Sequence, residues 1–194
     1  MVSLSSVCVY CGSSRHVNDV YKDAARQLGT RLADAGIRLV YGGGRVGLMG
    51  LVADAALAGG GQVTGIIPGH IRALEVGHDA LTELVVVESM HERKRLMVDR
   101  SDAFVVLPGG FGTLDEMFEV VTWKQLRLHD KPIVIADIAG YWAPLLTLLE
   151  HITAEGFVAG GYRRLFSVVD GVDGVLEALH GHPDPATPTL SGSM

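Results

Sequence analysis

The chain of 194 residues holds only two cysteines, Cys8 and Cys11, and only four lysines, at positions 22, 94, 124 and 131. Two thiols cannot build a disulfide framework, so a reducing, cytoplasmic setting is expected. Positive charge is not in excess: 16 Lys and Arg stand against 22 Asp and Glu, a formal net charge of −6. That excludes a generalised basic surface for nucleic acid. No apolar run approaches the roughly 18 residues that span a bilayer, so no membrane association is expected. The N-terminus has no basic stretch ahead of a long apolar segment, and so does not read as a secretory signal. The 8 histidines include no H-x-x-x-H pair. Ligand spacing therefore suggests no metal, because tetrahedral zinc needs about two ligands beyond Cys8 and Cys11.

What is present is an ordinary core: 48% of residues are hydrophobic, which excludes a disordered chain. A chain of this length buries roughly 70% of its unfolded surface. Glycine is the conspicuous surplus, 25 residues in 194, nearly twice the usual share of roughly 7%. The pair Cys8-x-x-Cys11 invites a redox reading. However, Cys8 lies inside the apolar run Val7-Cys8-Val9-Tyr10 rather than at the start of a helix, which favours packing for both thiols.

Short β-branched runs alternate with longer helical patterns. Strands are expected at 4–10, 37–41, 62–67, 84–87, 103–107, 133–136 and near 166–169. Helices are expected at 18–35, 48–58, 90–100, 113 to about 128, 142–155 and near 172–179, with Gly36 as a stop to the first. Unalternating apolar strands are buried on both faces, which implies a parallel sheet with helices on each side. The expected fold is a single-domain α/β, doubly wound, Rossmann-like sheet over residues 1–180, with 181–194 a disordered tail. Ligands in such sheets sit beyond the carboxyl ends of the strands.

Two glycine loops fall at that end. Gly42-Gly43-Gly44-Arg45-Val46-Gly47 follows the second strand and contains G-x-G-x-x-G. A dinucleotide site would need an acid at the end of the next strand, and Gly65-Ile66-Ile67-Pro68-Gly69 supplies none. What remains is either a tight turn or an anion loop with Gly43 and Gly44 as phosphate candidates. Leu107-Pro108-Gly109-Gly110-Phe111-Gly112-Thr113 follows the fifth strand and lacks the lysine of a Walker A loop. Its glycines free backbone N–H groups for an anion, which a helix dipole then favours. Thr113 and Glu116 also match a capping box, the bland role for that carboxylate. Glu119 lies one turn further along. The segment Glu88-Ser89-Met90-His91-Glu92-Arg93-Lys94-Arg95 puts cations near a helix N-terminus. Such cations need acidic partners, for which Glu88 and Glu92 are candidates, or an anionic ligand.

Taken together, Pro108-Gly109-Gly110-x-Gly112-Thr113-x-x-Glu116, Met90-His91-Glu92-Arg93-Lys94, Gly42-Gly43-Gly44-x-x-Gly47-Leu48-Met49-Gly50 and Cys11-Gly12-Ser13-Ser14 resemble the signatures of the Lonely Guy family. The resemblance runs from about Val7 to Leu179. It implies a homodimeric hydrolase, without metal or other cofactor, that cleaves the N-glycosidic bond of cytokinin riboside 5′-monophosphates to free base and ribose 5-phosphate. Related readings are a broader AMP nucleosidase, a non-catalytic nucleotide-binding protein and a molybdenum-cofactor carrier of similar fold. By motif, Arg93 and Glu116 are the catalytic pair. Met90, Lys94, Gly109, Leu114, Asp115 and Thr122 are substrate contacts, and Gly110, Phe111, Gly112 and Thr113 hold the 5′-phosphate. Glu75 matches a further contact. Family members are often labelled lysine decarboxylases, but no lysine here has an identifiable cofactor context.

Overall fold

The computed structural model describes residues 4–72, 78, 80–158 and 162–181. Seven parallel strands form one sheet: β1 (Ser6–Tyr10), β2 (Arg38–Tyr41), β3 (Val63–Pro68), β4 (Glu83–Val87), β5 (Ala103–Val106), β6 (Ile133–Asp137) and β7 (Ser167–Asp170). Their order is β4-β3-β2-β1-β5-β6-β7. Val7 of β1 pairs with Leu39 on one side and Ala103 on the other.

The two-residue period of the strands sends alternate side chains to opposite faces. Val7, Val9, Leu39, Tyr41 and Val105 pack with α1 (Asp19–Asp34), α2 (Gly47–Ala58) and α7 (Val175–His180). Cys8, Tyr10, Val40, Phe104 and Val106 pack with α4 (Met90–Asp99), α5 (Phe111–Gln125) and α6 (Ala143–Ala154). The fold is thus a doubly wound, Rossmann-like α/β sheet. The winding reverses between β1 and β5, which opens a crevice at their carboxyl ends.

Local chemistry sets the helix limits. Asn18 Oδ1 accepts from Val20 N at 3.3 Å, Asp19 lies in the first turn, and Gly36 at φ +68° follows the C-cap. Three departures from expectation have physical reasons. The outer strands β4 and β7 are only partly buried, because each has a single neighbour in the sheet. A four-residue helix, α3 (Gly69–Arg72), follows β3 and is too short to leave a periodic signal. Helix α5 begins at Phe111, two residues before the expected Thr113. Of the expected tail at 181–194, all but Gly181 lies outside the described residues.

Candidate active site

The second glycine loop caps the crevice. Leu107 N donates to Tyr10 O at 2.9 Å and Gly12 N to Pro108 O at 3.0 Å, so the loop is tied to the end of β1. Tyr141 Oη donates to Gly109 O at 2.7 Å from the far side. Gly110 is the N-cap of α5, with no side-chain capping bond. Leu114 N donates to Gly110 O at 3.0 Å. The N–H groups of Phe111, Gly112 and Thr113 therefore have no acceptor within the helix. No acid occupies this first turn. A Cβ on Gly110 or Gly112 would meet nothing within 4 Å, so both glycines border open space. A Cβ on Gly109 would sit 2.0 Å from Thr113 Oγ1, so only glycine lets that hydroxyl lie against the loop. Thr113 is buried, yet its hydroxyl has no hydrogen-bond partner among the described residues. Phe111 projects outward, 92% exposed.

This start corrects the capping-box reading at Thr113. With Gly110 as N-cap, Thr113 is the third helical residue and Glu116 the sixth, so neither can play its capping role. The working capping box lies on α4: Ser89 Oγ accepts from Glu92 N at 3.2 Å, and Glu92 Oε2 accepts from Glu88 N at 2.9 Å. The same S-x-x-E signal stood in the sequence at Ser89. Glu92 is therefore a cap, not a partner for the neighbouring cations.

The cap starts α4 so that Arg93 turns inward. Its side chain is 4% exposed, with Nε donating to Ile66 O at 3.1 Å and Nη2 to Gly42 O at 2.8 Å. Nη1 lies 3.7 Å from Met90 Sδ. A buried guanidinium needs such acceptors, because an unsatisfied charge costs several kcal/mol. Gly42, Gly43 and Gly44 are all buried. Gly42 O serves Arg93, and Gly43 O accepts from His78 N at 3.2 Å. The first glycine loop thus holds Arg93 through the carbonyl of Gly42.

Glu116 is half-buried on α5. Its negative charge reaches the end of β1. Burial first, and then Glu116, pushes the Cys8 and Cys11 thiols well up, and Tyr10 rises through burial, Cys8 and Glu116. Both cysteines are free, buried thiols, which bears out packing over redox chemistry. Lys94 Nζ lies between Asp115 Oδ2 at 3.1 Å and Glu119 Oε2 at 3.2 Å. Burial is the largest single influence and lowers its pKa, but the two hydrogen bonds together win and raise it. Arg95 pairs with Asp99 at 3.1 Å.

Of the expected site residues, Lys94 on α4 meets Asp115 on α5, and Met90 lies beside Arg93 within α4. Leu114 is half-buried and Asp115 exposed. Thr122 is exposed on α5, roughly 13 Å along the helix axis from Thr113 at 1.5 Å per residue, and does not join them. Glu75 lies outside the described residues. Sequence reasoning missed Tyr141, the carbonyls of Ile66 and Gly42, and the Asp115–Glu119 clamp. Of these, only the i, i+4 spacing of the two acids was visible in advance.

A family model described as "Possible lysine decarboxylase" matches residues 49–179. That description implies a lysine bearing pyridoxal phosphate, and the lysines do not fit. Lys22 pairs with Asp19 and Lys94 with the α5 acids. Lys131 Nζ donates to Val98 O. Lys124, which burial lowers to about 8, donates to Lys131 O beside the amino end of β6, away from the glycine loops. The chain is 46% identical to the cytokinin riboside 5′-monophosphate phosphoribohydrolase of Rhodococcoides fascians, over 90% of this chain and 88% of that one. It is 45% identical to an Arabidopsis thaliana enzyme of the same name, over 82% and 75%. Among solved structures, the molybdenum cofactor carrier protein of Chlamydomonas reinhardtii superposes with TM-score 0.70 at 22% identity, covering 92% of this chain and 97% of that one. The molybdenum cofactor binding protein of Rippkaea orientalis gives 0.69 at 19%, covering 93% and 98%. At those identities the two structures speak to the fold alone. Family model and relatives agree over most of the sequence: the chain belongs to the Lonely Guy family.

Proposed function

We propose that this chain is a phosphoribohydrolase that cleaves the N-glycosidic bond of cytokinin riboside 5′-monophosphates, releasing free base and ribose 5-phosphate. The relatives named for that reaction support it, at 45–46% identity over most of the chain. The observation that carries it is the open amide cradle at the start of α5, with the Glu116 carboxylate on the same helix.

The 5′-phosphate docks on the N–H groups of Phe111, Gly112 and Thr113 and on the Thr113 hydroxyl. Bond cleavage builds positive charge on the ribose in an oxocarbenium-like state. Glu116 supplies the facing anion, which stabilises that charge or activates the attacking water. A positioned acid–base group is worth typically 10²–10⁴-fold. Arginine is a poor proton donor near neutral pH, so the part of Arg93 is to hold the Gly42 loop and substrate oxygens in place. Met90, Gly109, Leu114 and Asp115 complete the substrate contacts, with Lys94 held between Asp115 and Glu119.

The active unit in this reading is a homodimer. Phe118, Leu126 and Leu128, at 39%, 64% and 67% exposed, leave apolar surface on and just beyond α5. Thr122 is exposed on the same helix and would serve a partner's site. The buried free thiols fit a reducing, cytoplasmic setting.

The test is a substrate panel. The purified chain is incubated with AMP and with isopentenyladenosine monophosphate, and the released bases are resolved. Preferential release of the modified base is expected. Equal release from AMP would favour the broader nucleosidase. Undiminished release by Glu116→Ala would remove that residue's assignment.

A further inference from the structure

A second cleft lies on the other face of the sheet. It has a volume of about 480 Å³ and is walled by α1, α2 and the loops after β1 and β2, a size common for small-molecule sites. Its lining includes Arg15, Lys22, Arg26 and Arg45, with Asp54 and Gly47. None of residues 109–116 contributes to it. Its helices pack on the face opposite α4 and α5, which carry Arg93 and Glu116.

Four cations around one carboxylate is an odd concentration on a chain of net charge −6. Two of the four are already neutralised within α1: Lys22 pairs with Asp19 at 2.9 Å and Arg26 with Asp23 at 2.7 Å. Arg15 and Arg45 are exposed and have no ion-pair or hydrogen-bond partner among the described residues. They approach the cleft from different loops, and the backbone of Arg45 packs on the start of α2. Its carbonyl lies so close over Gly50 that a Cβ there would come within 2.2 Å of it.

Asp54 gives the cleft its second character. Its Oδ1 is 2.8 Å from Nε2 of the buried His78. His78 Nδ1 accepts from Ala80 N at 3.3 Å, so Nε2 carries the proton and donates. Asp54 Oδ2 takes no hydrogen bond among the described residues. The cleft therefore offers two forked donor groups for a phosphate and one fixed acceptor for a hydroxyl or amine.

We propose that this cleft is a second ligand site, separate from the amide cradle, for a phosphate ester bearing hydroxyls, such as a sugar phosphate or a nucleotide. Arg15 and Arg45 hold its phosphate, and Asp54 accepts from its hydroxyl.

Amide chemical shifts of the full chain, titrated with ribose 5-phosphate, report the two sites separately. Gly47 and Gly50 read the cleft, and Gly110 and Gly112 read the cradle. Saturable shifts at Gly47 and Gly50 are expected, with affinity falling roughly ten-fold for each arginine removed in Arg15→Ala and Arg45→Ala. Gly110 and Gly112 should respond as before in both variants. Shifts confined to Gly110 and Gly112 would overturn the proposal, as would cleft shifts undiminished in the double variant. Inorganic phosphate binding the cleft as tightly as ribose 5-phosphate would overturn the role of Asp54 and the ester assignment. Silence at Gly110 and Gly112 alone would count against the cradle and leave the cleft standing.

Discussion

Arg93 donates from Nη2 to the carbonyl of Gly42, and a Cβ added to Gly42 would lie 2.0 Å from that same nitrogen. The absence of a side chain at 42 is thus a condition for the position of a guanidinium 51 residues away. Gly42→Ala must displace Arg93, because the nearest atoms to the new methyl are its Nη2, Cζ and Nε. The guanidinium is confined in turn by Ile66 O. A misplacement near 1 Å in active-site geometry costs on the order of 10²-fold. Base release by Gly42→Ala should fall by about that factor while the circular dichroism spectrum stays that of the folded chain. Unchanged kcat/KM would show that Arg93 has no positional role.

Thr113 offers a different signature. In the proposed reading its hydroxyl is the side-chain donor of the cradle, and it has no hydrogen-bond partner among the described residues, so Thr113→Val should remove a bond to the substrate phosphate and leave the fold intact. A charge-assisted hydrogen bond is worth about 1.5–3 kcal/mol. KM should rise roughly ten-fold or more, and kcat should change little, because the phosphate is bound equally in ground and transition states. A fall in kcat at unchanged KM would place Thr113 at the reacting carbon instead.

The two loops were legible in the sequence because each stands after a β-branched run and each is read within ten residues. The sheet was legible for the same reason: periodicity is local. What decided the site is not local. Ile66 O and Gly42 O meet Arg93 only because β3, β2 and α4 come together in the folded sheet. The start of α5 was misread because Thr113 is a better N-cap by side chain than Gly110. Here the backbone of Gly110 makes the turn, and the hydroxyl of Thr113 is left free for another task. The box at Ser89–Glu92 was overlooked because its glutamate also looked like an ion-pair partner.

Lys94 joins α4 to α5 through Asp115 and Glu119. Removing its charge leaves two carboxylates one turn apart, which repel by a few tenths of a kcal/mol. It also removes pairs worth up to about 1 kcal/mol at this exposure. Lys94→Met should lower the unfolding midpoint by a few degrees. It should also raise KM, because the first turns of α5 carry the cradle. If only stability changed and KM stayed constant, Lys94 would be a strut between helices and nothing more.

Phe118 tests the assembly. It is 39% exposed, so Phe118→Glu should cost the isolated subunit little, within the range of about 0.5 kcal/mol for surface changes. Placed in an apolar contact between subunits, the same charge would be desolvated without a partner. Sedimentation equilibrium should give a dimer for the parent chain and a monomer for the variant. A dimer in both would move the interface elsewhere.

Asp102 provides a pH-dependent element at the amino end of the sheet. Its Oδ2 accepts from Ser5 N at 2.9 Å, Ser5 Oγ at 2.7 Å, Ser6 N at 2.9 Å and Ser6 Oγ at 2.9 Å, joining the entry of β1 to that of β5. Burial alone would raise its pKa and is the largest single influence, but these bonds to the charged form outweigh it and lower the carboxyl below its ordinary value. A group whose folded pKa lies below its unfolded one stabilises the fold above the unfolded pKa, near 3.9 for Asp. The contribution is lost as pH falls through the folded value. Asp102→Asn keeps the shape and removes the charge, so it should unfold at lower temperature than the parent between pH 5 and 7. The gap should narrow below about pH 4, where the parent is itself being protonated. Unfolding midpoints taken from pH 7 to 3 would check this. A gap that held constant to pH 3 would mean that packing at position 102, not the charge gathered by the two serines, holds the strands together.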